Sequence, residues 1–252
     1  MGLRRTESRE PLGARASFGR EGIEEDEYAP QAGEMIYVHE APVRLWHWLN
    51  AACIVILVVT GYLIGVPLPS TTGEPSEWYI MGYIRFAHFS ASYIFTVGMI
   101  FRFFWAVIGN NYSGNMFYFP VWRRSWTNNF MRDLRCKLLL TDEVPCGAGH
   151  SPITRVAMVG LFLLPSLFMI VTGFALYSEA TGRDSWEHHF FGWIVEFWRN
   201  TQDIHTLHRL GMWVMLVFTV IHIYMVVRDD ILSGHSVIGT MFSGWRFFAG
   251  RQ

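Results

Sequence analysis

Four histidines of this chain lie in long apolar stretches, where an ionisable side chain is costly to bury and is usually functional. Two of them, His208 and His222, lie fourteen residues apart in the last apolar stretch. At about 100° per residue, fourteen steps make nearly four whole helical turns, so both imidazoles point the same way, roughly 21 Å apart along the axis. Because haem iron takes an axial imidazole on each face, this spacing predicts ligands for two stacked haems.

The elements that must position these histidines are predicted to be membrane-spanning helices. Crossing the hydrocarbon core takes roughly 20 apolar residues at about 1.5 Å each. Four runs are long enough, and they cover about 46–66, 84–108, 156–177 and 208–227. Pro165 lies inside the third run and should kink it, which membrane helices tolerate when neighbours satisfy the freed carbonyl. The sequence therefore predicts an all-α, integral membrane four-helix bundle with haem groups bound between helices.

Composition agrees with this fold class and excludes others. The chain is 51% hydrophobic and only 16% charged, whereas about 25% of the residues in soluble domains are charged. A net charge of −1 gives no reason to expect nucleic acid as a partner. The three cysteines form no CxxC pair, so we expect no iron–sulfur cluster or zinc site built by this chain alone.

The domain organisation follows from the position of the apolar runs. Residues 1–37 combine charges with scattered glycine and show no apolar periodicity, so they are expected to form a flexible cytoplasmic tail. The four-span domain is expected to cover 38–245. Residues 246–252 are expected to form a short cytoplasmic tail.

Loop charges predict how the bundle is oriented. The loop between the second and third spans is basic, and so is the segment after the fourth span. The loop between the first and second spans and the loop between the third and fourth are predominantly acidic. By the positive-inside rule, both termini and the basic loop are expected in the cytoplasm, and the acidic loops outside. The chain is thus predicted to be a multi-pass protein surrounded by membrane lipid.

This orientation sorts the histidines into two pairs by depth. His47 opens the first span and His222 lies deep in the fourth, so both are expected near the cytoplasm. His88 opens the second span and His208 opens the fourth, so both are expected near the outer face. His205 competes with His208, although it lies about 100° off the ligand face. Each histidine on its own could be a hydrogen-bonded core residue, but two depth-matched pairs favour haem ligands.

Three further residues lie on the predicted haem-facing side. Gly61 comes fourteen residues after His47, and Gly211 comes one turn after His208. Their missing side chains would let the outer haem approach, although helix packing in membranes also favours glycine. Arg102 comes fourteen residues after His88, so it could neutralise a propionate of the inner haem or extend to the cytoplasmic interface.

A weak internal repeat accompanies the histidines. The first span ends with LVVTGYLIG and the third ends with MIVTGFALY. The second and fourth spans both open with a histidine about one turn in. The repeat therefore predicts a two-plus-two arrangement, in which the first and second spans form one unit and the third and fourth spans form a similar one.

Several segments together resemble the cytochrome b subunit of membrane-bound nickel–iron uptake hydrogenases. They are EAPVRLWHWLN, VTGYLIG, MGYIRFAHFSA, VTGFALYSE, DIHTLHRLGMW and HIYMVVRDDI, and the resemblance covers about 38–245. It implies a four-span subunit with two haem b groups in the bacterial cytoplasmic (inner) membrane. His47, His88, His208 and His222 match the haem-ligand positions of that family.

The resemblance also implies partners. Such a subunit docks the hydrogenase small subunit, with its iron–sulfur clusters, on the periplasmic side, and through it the large subunit. It passes electrons from hydrogen to quinone, so the chain alone is expected to be a non-catalytic part of a hydrogen:quinone oxidoreductase complex. The gamma subunit of membrane formate dehydrogenases shares the helix arrangement. One alternative is therefore the cytochrome b subunit of a membrane formate dehydrogenase. Two others are a stand-alone transmembrane haem reductase and a carrier with metal-binding histidines.

Overall fold

A computed structural model of the chain describes residues 33–69, 79–114, 122, 124–138, 140–141, 151–198 and 200–248. Four helices in these ranges are long and apolar enough to cross a membrane: Ala41–Gly65, Ile80–Ile108, Pro152–Thr181 and Thr201–Ser233. Their mean hydropathy is between 1.7 and 2.2 over the most apolar windows. This confirms the predicted helical architecture with four spans. Most of the predicted N-terminal tail, 1–32, and residues 249–252 of the C-terminal tail lie outside the described residues.

Three of the spans are single helices that run further than the apolar runs. They are α1 (Ala41–Gly65), α2 (Ile80–Ile108) and α8 (Thr201–Ser233). The side chain of Asn200 caps α8 by accepting the backbone N–H of Gln202 at 3.1 Å. Gly234 ends the same helix in the left-handed region at φ 64°, which glycine adopts without steric cost. Hydropathy marks the membrane core, whereas these caps set the ends of the helix.

The third span is interrupted where proline was predicted to distort it. It consists of α5 (Pro152–Ala157), a π-helical turn (Met158–Leu163) and α6 (Leu164–Thr181). Pro165 lacks an N–H, and its ring would clash with the carbonyl of Leu161 in a regular α-helix. A π-helical turn takes one extra residue into the helix and relieves that conflict.

The four spans form two helix pairs. α1 packs along α2, α6 packs along α8, and α1 also contacts α8. One apolar cluster fills the middle of the bundle, and its buried members are Trp46, Cys53, Phe95, Met99, Phe162, Leu163 and Met215. The outward faces carry exposed apolar side chains such as Leu45, Phe86 and Val97. That pattern is typical of helices whose surroundings are lipid.

Short elements outside the spans were not predicted from the sequence. They are α3 (Asn111–Gly114), α4 (Arg124–Lys137), α7 (Trp186–Trp198), α9 (Val237–Ser243) and the strands β1 (Met35–Tyr37) and β2 (Trp245–Phe247). The strands pair in antiparallel fashion, with Ile36 opposite Arg246. The structure therefore differs from the all-α expectation in this small sheet, which joins the ends of the two predicted tails. Three-residue strands carry too little alternation to be recognised in a sequence.

Hydrogen bonds join the start of α1 to α9, near the C-terminal end of the described chain. Trp48 donates from Nε1 to the carbonyl of Met241 at 3.1 Å, and Arg44 donates to the carbonyl of Phe242. Asp230 accepts the backbone N–H of Ile238 at 3.0 Å and so fixes the start of α9. These contacts lie beside His47, and we call this end of the molecule the His47 end and the opposite one the His88 end.

Candidate functional site

His88, near the start of α2, is held by a threonine of α1. Its Nδ1 lies 2.8 Å from Thr60 Oγ1. The Thr60 hydroxyl lies 2.6 Å from the carbonyl of Ile56 and uses its single proton for that bond. With that proton used, the hydroxyl is placed to accept from the imidazole, whose own proton then lies on Nδ1. Nε2 is left with the lone pair that binds a metal ion.

His208, near the start of α8, has the same arrangement in the second helix pair. Its Nδ1 lies 2.8 Å from Thr172 Oγ1 on α6. Thr172 donates to the carbonyl of Phe168 at 2.8 Å, so its hydroxyl also accepts from the imidazole. His205 is exposed, whereas His208 is half-buried between the helices. The contacts therefore agree with the preference for His208 over His205.

The glycine after each threonine makes room for the same imidazole. A Cβ on Gly61 would lie 3.2 Å from His88 Cε1, and a Cβ on Gly173 would lie 3.2 Å from His208 Cε1. Gly61 was predicted to let the outer haem approach, and in the structure its missing side chain leaves room for the ring of His88. The space at Gly211 is taken by Met169, whose Sδ would lie 2.5 Å from a Cβ there. Each Thr-Gly pair thus seats one histidine.

His47 and His222 face each other at the opposite end of the bundle. Their ring centroids are 6.5 Å apart, and the ring planes are inclined by 51°. Two imidazoles that bind one metal ion need metal–nitrogen bonds of about 2 Å and add about 1 Å per ring, which gives about 6 Å between centroids. His222 also stacks on Phe218, one turn earlier, with centroids 5.6 Å apart. The spacing of this pair therefore fits the two axial positions of one haem iron.

Arg102 is packed inside the His47 end. It is 5% exposed, so its side chain is enclosed by other residues of the protein. Its guanidinium donates to the carbonyl of Ser113 at 2.9 Å and lies 5.6 Å from the ring centroid of Trp46, the neighbour of His47. Arg102 follows His88 in α2 by fourteen residues, as His222 follows His208 in α8. A buried guanidinium at this depth fits a carboxylate such as a haem propionate.

Positive charge at the His47 end comes from Arg44, Arg102 and Arg246 and not from His39. Burial, together with the charges of Arg246, His47, Arg102 and Arg44, lowers the pKa of His39 to about 4. At pH 7 His39 is therefore neutral. The electrostatic environment at this end favours an anionic group.

The described histidines do not belong to a multidentate metal site. Among the residues that the structure describes, no three His, Cys, Asp or Glu side chains cluster to bind a bare metal ion. Two histidines can serve as the two protein ligands of a haem iron. The residue set therefore fits a haem at each end.

Sequence reasoning missed Thr60, Thr172 and Gly173. Their signal was present in the repeated V-T-G of the first and third spans. The repeat was recognised, but its polar residue was not connected to the histidine of the following span. Only the packing of α1 on α2 and of α6 on α8 makes that connection.

Comparisons with known proteins agree with this architecture. The family model described as "Prokaryotic cytochrome b561" matches residues 38–244. A protein of Bradyrhizobium diazoefficiens named "Probable Ni/Fe-hydrogenase B-type cytochrome subunit" is 50% identical over 213 residues, covering 84% of this chain and 86% of that protein. One with the same name from Rhizobium leguminosarum bv. viciae is 48% identical over 219 residues, covering 87% and 92%. The "Probable Ni/Fe-hydrogenase 1 B-type cytochrome subunit" of Escherichia coli K12 is 49% identical over 214 residues, covering 83% and 90%. The chain belongs to the prokaryotic cytochrome b561 family.

Proposed function

We propose that this protein is the membrane-anchoring electron-transfer subunit of a nickel–iron hydrogenase and passes electrons from the enzyme to quinone. The observation that carries the proposal is the close approach of His47 and His222 at one end of a four-span bundle, together with the matching threonine contacts of His88 and His208. The names of the relatives support a hydrogenase as the partner and haem b as the cofactor. They favour this function over the formate dehydrogenase alternative.

His88 and His208 would hold one haem b, and His47 and His222 a second one. The bound haem supplies one-electron transfer at each site. Each haem would then be held by two histidines of the chain, which would leave no place for oxygen on the iron. Arg102 would neutralise a propionate of the haem between His47 and His222. Thr60 and Thr172 keep Nε2 of their histidines free for the iron.

The His47 end would face the cytoplasm in the bacterial inner membrane, with both termini on that side. The basic loop supports this orientation, because α4 carries the exposed residues Arg124, Arg132 and Arg135. The acidic segments would then lie outside, at the His88 end. The small subunit of the hydrogenase, with its iron–sulfur clusters, would dock there. Electrons would therefore enter at the His88 end and reach quinone at the His47 end.

Reporter fusions test the orientation. A fusion after Gln252 is expected to report a cytoplasmic location, because the positive charge lies at the His47 end. A fusion in the segment between α7 and α8, at Asn200, is expected to report a periplasmic location. A periplasmic location after Gln252 and a cytoplasmic location at Asn200 would contradict the proposed orientation and, with it, the proposed direction of electron transfer.

Hydrogen-driven haem reduction tests the function. In membranes that contain the assembled complex, hydrogen should reduce haem b, and added quinone should reoxidise it. Membranes of a strain that lacks this chain should show hydrogenase activity with an artificial dye but no hydrogen-driven quinone reduction. If quinone reduction persists there at the wild-type rate, the chain is not the electron path. Co-purification with the hydrogenase separates this role from that of a stand-alone haem reductase.

A further inference from the structure

The two ends of the bundle differ in how their histidines are supported. At the His88 end, Oγ1 of Thr60 and of Thr172 each lie 2.8 Å from the Nδ1 of a histidine, where they are placed to accept its proton. At the His47 end, Nδ1 of His47 is buried and has no hydrogen-bond partner among the described residues. His47 therefore lacks the hydroxyl contact that both His88 and His208 have.

We infer that Thr60 and Thr172 are positioning residues that make the haem at the His88 end the one with the lower reduction potential. The inference rests on the proposed function, because it requires that His88 and His208 bind haem iron. It goes beyond that function by ordering the potentials of the two haems and by naming two residues that set this order.

The physical reason is the basicity of the ligand. A hydrogen bond from Nδ1–H to an acceptor shifts electron density toward Nε2 and makes the imidazole a stronger donor to the metal. A stronger donor stabilises ferric iron relative to ferrous iron and lowers the potential, since hydrogen bonds around the ligands are one of the means by which a protein tunes haem. Both axial ligands at the His88 end receive this effect.

The direction of the asymmetry suits electron flow from the hydrogenase to quinone. An electron at the lower-potential site moves spontaneously to the higher-potential site. The transfer moves one electron between the sites and forms or breaks no bond. The threonines thus favour electron flow from the His88 end toward the His47 end.

The contact with histidine goes beyond what threonine does elsewhere in these helices. Thr96 and Thr219 each donate to the carbonyl four residues earlier at 2.8 Å, as threonines in apolar helices commonly do. The structure gives their hydroxyls no bond to a histidine within the described ranges. Thr60 and Thr172 make the same helical bond and in addition accept from the imidazole, so two threonines of each kind are available for comparison.

The test is a potentiometric titration of the full complex carrying Thr60→Val or Thr172→Val. Valine keeps the shape of threonine and removes the acceptor. We expect the midpoint potential of one haem to rise in each variant, with about a threefold change in the oxidised-to-reduced ratio, or ~30 mV at about 59 mV per tenfold change. The other haem should keep its potential. Thr60→Ser, which retains a hydroxyl, should restore the wild-type value, and Thr96→Val should leave both potentials unchanged.

The affected haem is identified in a His222→Ala background, where only the haem at the His88 end should remain. An unchanged midpoint in both valine variants, or a shift equal to that of Thr96→Val, overturns the inference. Loss of the haem from both valine variants overturns it too, because the hydroxyls would then build the site rather than tune it. If His88→Ala instead retains both haems, the ligand assignment itself fails. The two failures are thus distinguishable.

Discussion

Replacing His222 by alanine should leave a complex in which hydrogen still reduces one haem but quinone reduction fails. His222 and His47 are the predicted ligands of the haem at the His47 end, and their ring centroids are 6.5 Å apart. Without that haem, the remaining haem at the His88 end would be roughly 21 Å, along the helix axis, from the level of His222, where quinone is proposed to react. This distance is the rise of fourteen helical residues. Electron transfer over the extra distance should be too slow for turnover. The measurement is hydrogen-driven haem reduction beside hydrogen-driven quinone reduction in the same membranes.

His205→Ala is the matched control for this variant. His205 lies on the same helix but is exposed and off the ligand face, so its replacement should preserve both reactions. If His222→Ala lacks the second haem and still reduces quinone at nearly the wild-type rate, quinone binds at the His88 end. The transmembrane electron path would then be wrong.

Replacing His88 by alanine should remove the haem at the other end. The variant should keep the haem between His47 and His222, so the haem content per chain should fall by half. Because electrons would enter at the His88 end, reduction of the remaining haem by hydrogen should become slow even though dithionite still reduces it fully. Haem extraction assays and the rate of hydrogen-driven reduction check the two parts.

His189→Ala provides the comparison for this second variant. His189 is an exposed histidine of α7, the helix that precedes α8 in the sequence and so lies near the His88 end. Its replacement should change neither the haem content nor the rate. Retention of both haems with unchanged spectra in His88→Ala would refute the proposed pairing of His88 with His208.

The four spans could be predicted from the sequence because each is a nearly continuous apolar run of membrane length. The placement of the histidines within the helices followed from helix geometry alone, since fourteen residues return to the same face. The helix ends could not be predicted in this way. Asn200 and Gly234 set the ends of α8 through local capping, which hydropathy does not register.

The support of the histidines required the three-dimensional structure. Thr60 and His88 are far apart in the sequence and meet because α1 packs along α2. The role of Gly61 likewise depends on which group fills the space beside it. The sheet pairs β1, near the start of the described chain, with β2, near its end. No local sequence pattern predicts a pairing between strands so far apart.

The central claim is that each end of the bundle holds one haem b between two histidines. The most direct test is the haem content of the purified protein together with its electron paramagnetic resonance spectrum. We expect two haem b groups per chain and two low-spin ferric signals, as required for iron with two axial imidazoles. One haem per chain in the fully loaded complex, or a high-spin signal from a haem with an open position, would contradict the account.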